Sequence, residues 1–149
     1  MNLIEQIDRE EWLYFREIAE PDINVLRIVI EGAKTSNETY DLDLGEAEIK
    51  DVHPIVSDET CDVYEIVFRT YIAYAVLNES YAKVDEYEEC TGKYFRVYSK
   101  SRFLDYLRAA SFADEDYPGK STHYEIACLD HIVEVVSVDQ PEINLLSRA

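Results

Sequence analysis

The sequence predicts an α+β fold: a mainly antiparallel sheet of about five or six strands with two helices packed on it. Alternating apolar and polar residues, typical of half-buried strands, recur along the chain, whereas helical spacing occurs in only two segments. The predicted strands follow one another through short connections, without the alternation of strand and helix that builds a parallel sheet. A length of 149 residues suits one domain, residues 1–149, with its own hydrophobic core.

The first helix is predicted from about Arg9 to Ala19. Asp8 is a candidate N-cap, and Glu11 stands three residues later, as in a capping box. Pro21 is expected to end the helix, because the residue before a proline avoids the helical region.

Two strands are predicted next. In INVLRIVIEG, residues 23–32, the side chains of Leu26, Ile28 and Ile30 share one face, which indicates a half-buried strand. A polar connection follows. A weaker strand is expected within residues 46–56, where a proline marks the end of the strand or a sheet edge.

The longest apolar stretch, Val63–Leu77, is predicted to be the central strand of the sheet, because β-branched and aromatic residues favour strands. Its fifteen residues would span about 50 Å at roughly 3.3 Å per residue, which is long for one strand. We therefore expect a bulge, a bend or a break into two pieces. Glu65 and Arg69 lie on the same face and are expected to pair with each other or with neighbouring strands.

A further strand and the second helix follow an acidic connection. KYFRVYS, residues 93–99, alternates as a strand does. Residues 99–112 have the spacing of an amphipathic helix, for which Ser99 or Ser101 is the candidate N-cap.

The last part of the chain predicts more strands. HYEIACL, residues 123–129, and HIVEVVSV, residues 131–138, are two strand candidates or one long strand bent at Asp130. The tail from Gln140 has little pattern and is expected to fray or to dock loosely.

The charge of the chain restricts its partners. Fourteen basic residues stand against 32 acidic residues, so the formal net charge is −18. Such a surface repels phosphate backbones and anionic lipid, which argues against direct binding to nucleic acid or to a membrane. It attracts basic proteins and speeds their encounter, although solubility alone would also account for the charge.

The sequence also bears on the cellular compartment. The chain does not begin with a basic segment followed by an apolar one, and no stretch of about 18 apolar residues lacks charge. Cys61, Cys90 and Cys128 are odd in number and widely spaced, which is typical of reduced thiols. We therefore expect a cytoplasmic protein without a membrane-spanning segment.

The chain lacks the motifs of most enzyme classes. Its four glycines are isolated, so GxGxxG, the phosphate-binding loop and the GxSxG elbow are all absent. The acidic stretch from Asp41 departs from an EF-hand, because its fifth position is Gly45 and its twelfth is Val52. Weak calcium binding and glycoside hydrolysis by paired carboxylates stay open, although no pair stands out. We expect no cofactor and favour a role other than catalysis.

One cluster contains residue types that suit zinc, but its spacing matches neither CxxC nor HExxH. On a single strand Cys128 would point away from His123 and Glu125, so no metal site is predicted. Cys128 beside a histidine also suggests a thiol nucleophile, although a buried, inert cysteine is the favoured interpretation. Only a bend at Asp130 would let the four residues converge; they are His123, Glu125, Cys128 and His131.

Acidic runs that contain tyrosine recur in the predicted connections. Tyrosine gives rigid contact area and accepts Lys or Arg by cation–π contact, so these runs suit a basic protein surface. The alternative is that they are ordinary solvated loops. The predicted contact residues flank the second helix and are expected to lie on one side of the protein; they are Asp85, Glu86, Tyr87, Glu88, Glu89, Asp114, Glu115, Asp116 and Tyr117.

These features favour an acidic binding protein that neutralises a basic partner. The composition is typical of immunity-like inhibitors of bacterial toxins, often nucleases, and of nucleic-acid mimics. Carboxylates would bind the Lys and Arg side chains with which the partner holds phosphate, and tyrosines would fill pockets in the surface of the partner. The alternative is a small-molecule-binding or enzymatic α+β domain with a pocket lined by Glu65, Arg69 and Tyr71, in which Arg69 holds an anion.

Overall fold

A computed structural model describes residues 1–148 of the chain. These residues form, in chain order, α1 (Leu3–Asp8), β1 (Trp12–Asp22), β2 (Val25–Thr35), β3 (Tyr40–Asp43), β4 (Glu48–Val52), β5 (Ile55–Val56), β6 (Val63–Phe68), β7 (Tyr71–Asn78), a short 3-10 helix (Glu79–Tyr81), β8 (Glu89–Thr91), β9 (Phe95–Lys100), α2 (Arg102–Ala110), β10 (Thr122–Ala127), β11 (His131–Ser137) and β12 (Glu142–Leu146).

Residues 1–148 build three antiparallel sheets, so the prediction of one sheet is wrong. The first sheet has the order β1-β2-β6-β12, and β5 pairs with the end of β2. The second sheet has the order β7-β11-β10-β9-β8, and the third consists of β3 and β4. Strands make up 51% of the structure and helices 12%, which confirms the prediction of a mostly antiparallel fold with two helices.

The stretch Val63–Leu77 is broken, because β6 ends at Phe68 and β7 begins at Tyr71. β6 lies between β2 and β12 in the first sheet, whereas β7 is an edge of the second sheet, beside β11. The predicted break is confirmed, but the prediction of a central strand holds for β6 only and is wrong for β7. The carbonyl of Thr70 accepts a hydrogen bond from the amide of Val138 at 3.1 Å, which holds the chain where it steps between sheets.

A hydrophobic core lies between the inner faces of the first two sheets. Phe68 of β6 contacts Tyr124 of β10 with ring centroids 5.4 Å apart, and Tyr124 also contacts Phe95 of β9 at 5.9 Å. Because burial of apolar surface is the dominant favourable contribution to folding, this contact between sheets is the main source of stability. The buried cluster contains Ile7, Leu13, Leu26, Ile28, Ile30, Tyr64, Ile66, Phe68, Phe95, Tyr124, Ile126, Cys128, Val133 and Val135.

The prediction of a helix at Arg9–Ala19 is wrong. Helix α1 lies earlier in the chain, and the side chain of its N-cap, Asn2, accepts a hydrogen bond from the amide of Glu5 at 2.9 Å. Residues 12–22 instead form β1, because pairing with β2 satisfies their backbone groups and places Leu13 in the core.

The residues predicted to cap that helix form tertiary contacts. A carboxylate oxygen of Asp8 accepts hydrogen bonds from the amides of Tyr94 and Phe95, each at 2.8 Å. Glu11 accepts a hydrogen bond from the amide of Thr35 at 3.3 Å. The local capping pattern is therefore overridden by partners that are distant in sequence.

The remaining elements can be compared one by one. The predicted strands at β2 and β9 are confirmed, and so is α2, whose N-cap Ser101 accepts a hydrogen bond from the amide of Leu104 at 3.1 Å. The region predicted as one weak strand contains β4 and β5. Residues 122–137 form a hairpin of β10 and β11 rather than one bent strand. The prediction for the tail is wrong, since Glu142–Leu146 forms β12 and pairs with β6.

The hairpin of β3 and β4 is a sheet of its own. Leu42 and Ile49 lie opposite each other on its apolar face, and Tyr40 and Ile49 are exposed. At its base the amide of Ser36 donates a hydrogen bond to the carbonyl of Pro54 at 2.7 Å, next to the pairing of β2 with β5. The hairpin is therefore joined to the first sheet at one end.

Replacing Asp8 with Ala tests the contact between α1 and β9. We expect Asp8→Ala to lower the free energy of unfolding by about 1–3 kcal/mol, because two partly buried amides lose their acceptor. Urea denaturation measures the loss. Glu38→Ala, at an exposed position before β3, is the control; equal stability of the two variants would contradict the assigned role of Asp8.

Candidate functional site

The outer face of the second sheet is covered by a layer of irregular and helical segments. This covering layer consists of residues 79–88, helix α2 and residues 111–121. Phe103 of α2 meets the ring of His123 edge to face, with centroids 5.4 Å apart. The covering layer therefore encloses the side chains that the second sheet directs away from the core.

A polar cluster lies beneath the covering layer, formed by Arg96, Tyr98, His123, Glu125 and Glu134. The strand register brings these side chains together: Glu125 of β10 stands opposite Arg96 of β9 and Glu134 of β11, while His123 stands opposite Tyr98. Alternate residues of a strand point to the same face, so all five share the outer face of the second sheet. Their neighbours Tyr124 and Val135 point into the core instead.

Hydrogen bonds connect the polar cluster. Arg96 donates to one oxygen of Glu125 at 2.7 Å, and the hydroxyl of Tyr98 donates to the other at 3.0 Å. The carboxyl groups of Glu125 and Glu134 also hydrogen-bond to each other. Nε2 of His123 contacts Glu134, and Nδ1 lies 2.7 Å from the hydroxyl oxygen of Ser101, the N-cap of α2.

Burial controls the protonation of the two carboxyl groups. Burial, together with the hydrogen bond and negative charge of Glu134, raises the pKa of Glu125 to about 7, although Arg96 opposes this shift. Burial also raises the pKa of Glu134 above its ordinary value. Two neighbouring buried carboxylates cannot both ionise easily, so the pair shares one proton at mildly acidic pH.

His123 is uncharged in this environment. Its side chain is 1% exposed, and burial lowers its pKa to about 4. The contact with Glu134 is therefore a hydrogen bond of a neutral imidazole. The hydroxyl of Ser101 already accepts a hydrogen bond from the amide of Leu104, so its own hydrogen is free for Nδ1, and Nε2–H faces Glu134.

A cleft of about 340 Å³ opens above the carboxyl pair. Lys83, Asp85 and Glu88 line it from residues 79–88, and Arg102 and Phe103 line it from α2. A carboxyl group with a pKa near 7 can donate or accept a proton at neutral pH. The cleft thus combines fixed charges, aromatic surface and one exchangeable proton.

Three of the acidic-run residues predicted to contact a partner hold residues 85–88 against α2. Asp85 accepts a hydrogen bond from the guanidinium of Arg102 at 3.1 Å, and Glu88 accepts one from the amide of Arg102 at 3.1 Å. The ring of Tyr87 lies 3.9 Å from the Arg102 guanidinium. Glu86 and Glu89 are exposed to solvent.

The second predicted acidic run forms the loop after α2. Asp114 accepts hydrogen bonds from the amides of Asp116 and Tyr117, each at 2.9 Å, and so organises its own loop. Glu115, Asp116 and Tyr117 are exposed. The two acidic runs flank opposite ends of α2, which is about 13.5 Å long for its nine residues. Both belong to the covering layer except for Glu89, which begins β8.

The covering layer also exposes aromatic side chains that sequence reasoning partly missed. Tyr106 is 62% exposed, Phe112 is 99% exposed and Tyr117 is 77% exposed; we call these three exposed side chains of the covering layer the aromatic patch. Only Tyr117 was among the predicted contacts. The helical spacing was a usable signal, because Tyr106 lies off the apolar face of α2 and Phe112 follows its end.

The residues of the predicted alternative pocket are engaged separately. Glu65 pairs with Arg27 of the neighbouring strand at 2.6 Å. Arg69 binds Glu142 through two hydrogen bonds of 2.9 and 3.1 Å, which agrees with pairing to neighbouring strands. The Tyr71 hydroxyl donates to Glu20. None of the three predicted pocket residues lines the cleft above the carboxyl pair.

The four residues weighed as a zinc cluster do not converge. His123 and Glu125 belong to the polar cluster, whereas Cys128 is buried in the core and the ring of His131 contacts that of Phe15, with centroids 4.4 Å apart. Within residues 1–148 no group of three or more His, Cys, Asp or Glu side chains is arranged to hold a metal ion. Burial raises the pKa of the Cys128 thiol, which disfavours the thiolate that a nucleophile needs.

Glu134 was the main omission of the sequence reasoning. The sequence pattern assigns its partner Glu125 only to the candidate zinc cluster, because it does not show which strand pairs with residues 123–129. A hairpin turn near Asp130 sets Glu125 opposite Glu134, so the position of that turn is the signal that predicts the carboxyl pair.

Replacing Glu125 with Gln tests the carboxyl pair through the pH dependence of stability. Between pH 4.5 and 7 the folded state binds more protons at Glu125 than the unfolded chain, so this group lowers the free energy of unfolding as pH rises. His123 acts in the opposite direction between pH 4 and 6.5, because the unfolded chain binds its proton more readily. The two effects offset each other up to pH 6.5, and above it the loss from Glu125 continues without compensation from His123.

We expect Glu125→Gln to remove the loss caused by Glu125, so that stability relative to wild type increases from pH 5 to pH 8 by up to about 3 kcal/mol. Denaturant titrations at several pH values measure this difference. Glu86→Gln, in the exposed part of residues 79–88, should follow the wild-type profile. A Glu125→Gln profile parallel to wild type would show that the pair does not share a proton.

Comparison with known proteins adds no assignment. No protein-family model, curated protein or solved structure matches the chain. The polar cluster, the cleft above it and the aromatic patch are therefore the features on which a function can be based.

Proposed function

We propose that the protein is an acidic binding module that neutralises a basic protein by covering its cationic surface. The observation that carries this proposal is the aromatic patch, in which Tyr106, Phe112 and Tyr117 are exposed among acidic side chains. Large exposed aromatic groups rimmed by polar residues are typical of protein interaction sites. The basic partner would dock on the covering layer.

The aromatic patch suits the centre of an interface. Aromatic residues are enriched among the few side chains that contribute most of the binding free energy, and they become dry when bound. Phe112 is 99% exposed, so binding would remove nearly its whole apolar surface from water. Tyr117 and Tyr106 add hydroxyls that can stay hydrated at the rim.

The exposed acids suit a basic partner. Asp85 and Asp105 form ion pairs with Arg102 and Arg108. Other acidic side chains of the same region face solvent: Glu86, Glu89, Glu115 and Asp116. With a net charge of −18, these carboxylates would steer a basic protein to the covering layer and meet its Lys and Arg side chains.

The type of partner we favour is one whose cationic surface normally grips phosphate, such as a bacterial toxin with nuclease activity. Occlusion of that surface would make the protein an immunity-like inhibitor. A negatively charged face competes directly with nucleic acid for the same Lys and Arg side chains. Catalysis by the acidic protein would not be needed.

The proposal includes a reducing compartment such as the cytoplasm. Cys61, Cys90 and Cys128 are free, as expected where thiols stay reduced. Among residues 1–148, neither helix has the length and apolar character needed to cross a lipid bilayer.

A second candidate function is the binding or conversion of a small molecule. The observation that favours it is a cavity of about 570 Å³ between α2, residues 113–122 and the second sheet. Leu104 and Leu107 give it apolar walls, and charged groups of both signs also line it: Arg108, Lys120, Asp114 and Glu115. This cavity would replace the predicted pocket near Arg69 and Tyr71. A metabolite that raises the melting temperature would support it, since ligands that bind only the folded state stabilise by mass action.

The binding proposal is tested with a variant that removes the aromatic patch: Tyr106→Ser, Phe112→Ser and Tyr117→Ser combined. Affinity capture from cell lysate at two salt concentrations, read by mass spectrometry, identifies basic proteins that wild type enriches. We expect the variant to bind the purified partner at least tenfold more weakly, because one buried aromatic anchor contributes on the order of 2 kcal/mol.

Tyr40→Ser is the matched control, since it removes an exposed tyrosine from the β3–β4 hairpin instead. It should bind the partner as wild type does. The proposal fails if wild type captures only the proteins that an unrelated protein of similar charge captures, or if Tyr40→Ser loses the partner and the patch variant keeps it.

A further inference from the structure

We propose that the cleft above Glu125 and Glu134 binds one ammonium or guanidinium group, carried by a Lys or Arg side chain of the basic partner, and that this cation replaces the proton shared by the two carboxyl groups. The inference rests on the proposed function, because it assigns a receptor for one side chain of the partner. It adds a site that is specific for the chemistry of that side chain.

The charges around the cleft support a cation as the ligand. Four carboxyl groups and three cationic groups line it, so full ionisation would leave one negative charge uncompensated; the groups are Asp85, Glu88, Glu125 and Glu134 against Lys83, Arg96 and Arg102. His123, behind Glu134, is neutral. The proton shared by the carboxyl pair supplies the missing positive charge, and a monovalent cation would supply it equally well.

The surroundings of the carboxyl pair make this replacement favourable. Glu125 is 6% exposed, and a charge at such a depth interacts more strongly with a partner than it would in water. Tyr81 and Phe103 line the same cleft and can offer aromatic faces to a cation. The hydroxyl of Tyr98 and the guanidinium of Arg96 already bind Glu125, and His123 contacts one oxygen of Glu134, which leaves the other oxygen of Glu134 for the incoming donor.

The size and composition of the cleft argue against other ligands. Its volume of about 340 Å³ lies at the lower end of the range for small-ligand sites, so it can hold one side-chain terminus. An anion would meet the excess of carboxyl groups. A calcium ion needs six to eight oxygen ligands, whereas the side chain of one Lys or Arg needs only one or two hydrogen-bond acceptors.

The replacement has a defined proton balance. The protonated pair and the cation combine to give the ionised pair with its bound cation, and one proton passes to the buffer. Affinity must therefore increase with pH, by up to about tenfold per unit, until the carboxyl pair ionises without help near pH 7. The other charged groups that face the pair are Arg96 from β9, Lys83, Asp85 and Glu88 from residues 79–88, and Arg102 from α2.

The test titrates the intact protein with n-butylammonium chloride and methylguanidinium chloride at constant ionic strength from pH 5.5 to pH 8.5. Amide chemical shifts of residues 123–125 and 132–134 report occupancy of the cleft. We expect millimolar binding that strengthens towards pH 7 and then levels. Tetramethylammonium chloride, which cannot donate a hydrogen bond, should bind at least tenfold more weakly.

Two variants separate the contributions of the carboxyl groups. Glu134→Gln should lose binding at every pH, and its melting temperature shows whether it is folded. Glu125→Gln keeps the acceptor on Glu134 and removes the proton that Glu125 holds near pH 7, so its binding should be weaker and should no longer change around pH 7. Glu86→Gln is the control and should bind as wild type does.

The outcomes distinguish this inference from the proposed function. Binding that does not depend on pH in wild type, or a pH dependence around pH 7 that is unchanged in Glu125→Gln, would overturn the replacement of a proton. A basic partner that needs the aromatic patch, together with a cleft that binds neither cation, would overturn this inference and leave the proposed function in place. Cation binding in the cleft without any captured basic protein would overturn the assignment to a partner side chain.

Discussion

The contact between the first two sheets determines which side chains remain for the outer faces of those sheets. Phe68, Phe95 and Tyr124 join the inner faces, and the apolar residues of both sheets are used there. Because strand side chains alternate, a sheet that gives one face to this core presents the intervening residues on the other. In the second sheet those residues include Glu125 and Glu134, so a covering layer of α2 and its flanking segments is required. The position of the polar cluster thus follows from the packing of the core, and the covering layer determines how deeply the cluster is buried.

Burial of the polar cluster destabilises the fold, and hydrogen bonds among its side chains offset part of that cost. Burying two carboxyl groups and an imidazole is unfavourable unless each finds partners. Glu125 and Glu134 find them in Arg96, Tyr98 and each other. Apolar side chains could fill the same space with less risk of unpaired charge. The presence of ionisable groups at this depth therefore favours a role in recognition or proton exchange.

The sequence alone was informative where local pattern and tertiary partners agree. Ser101 caps α2 as predicted, and the alternation in β2 matches its burial. It failed where a distant partner overrides a local signal, since Asp8 and Glu11 look like helix caps but bind β9 and β2. The acidic runs could be read from composition, whereas the carboxyl pair depends on the register of one hairpin, which no single segment reveals. Long-range pairing is therefore the information that local patterns lack.

The β3–β4 hairpin is expected to unfold locally while the rest of the protein stays folded. A two-stranded ribbon has little stability by itself, and this one is joined to the first sheet at its base, where Ser36 meets Pro54. Its amides should exchange with solvent through local opening, at rates independent of global unfolding, while those of β6 and β10 exchange only when the whole core separates. Mutations that alter the ribbon would then leave the rest of the fold almost unchanged, which makes it the segment most free to diverge in length and composition during evolution.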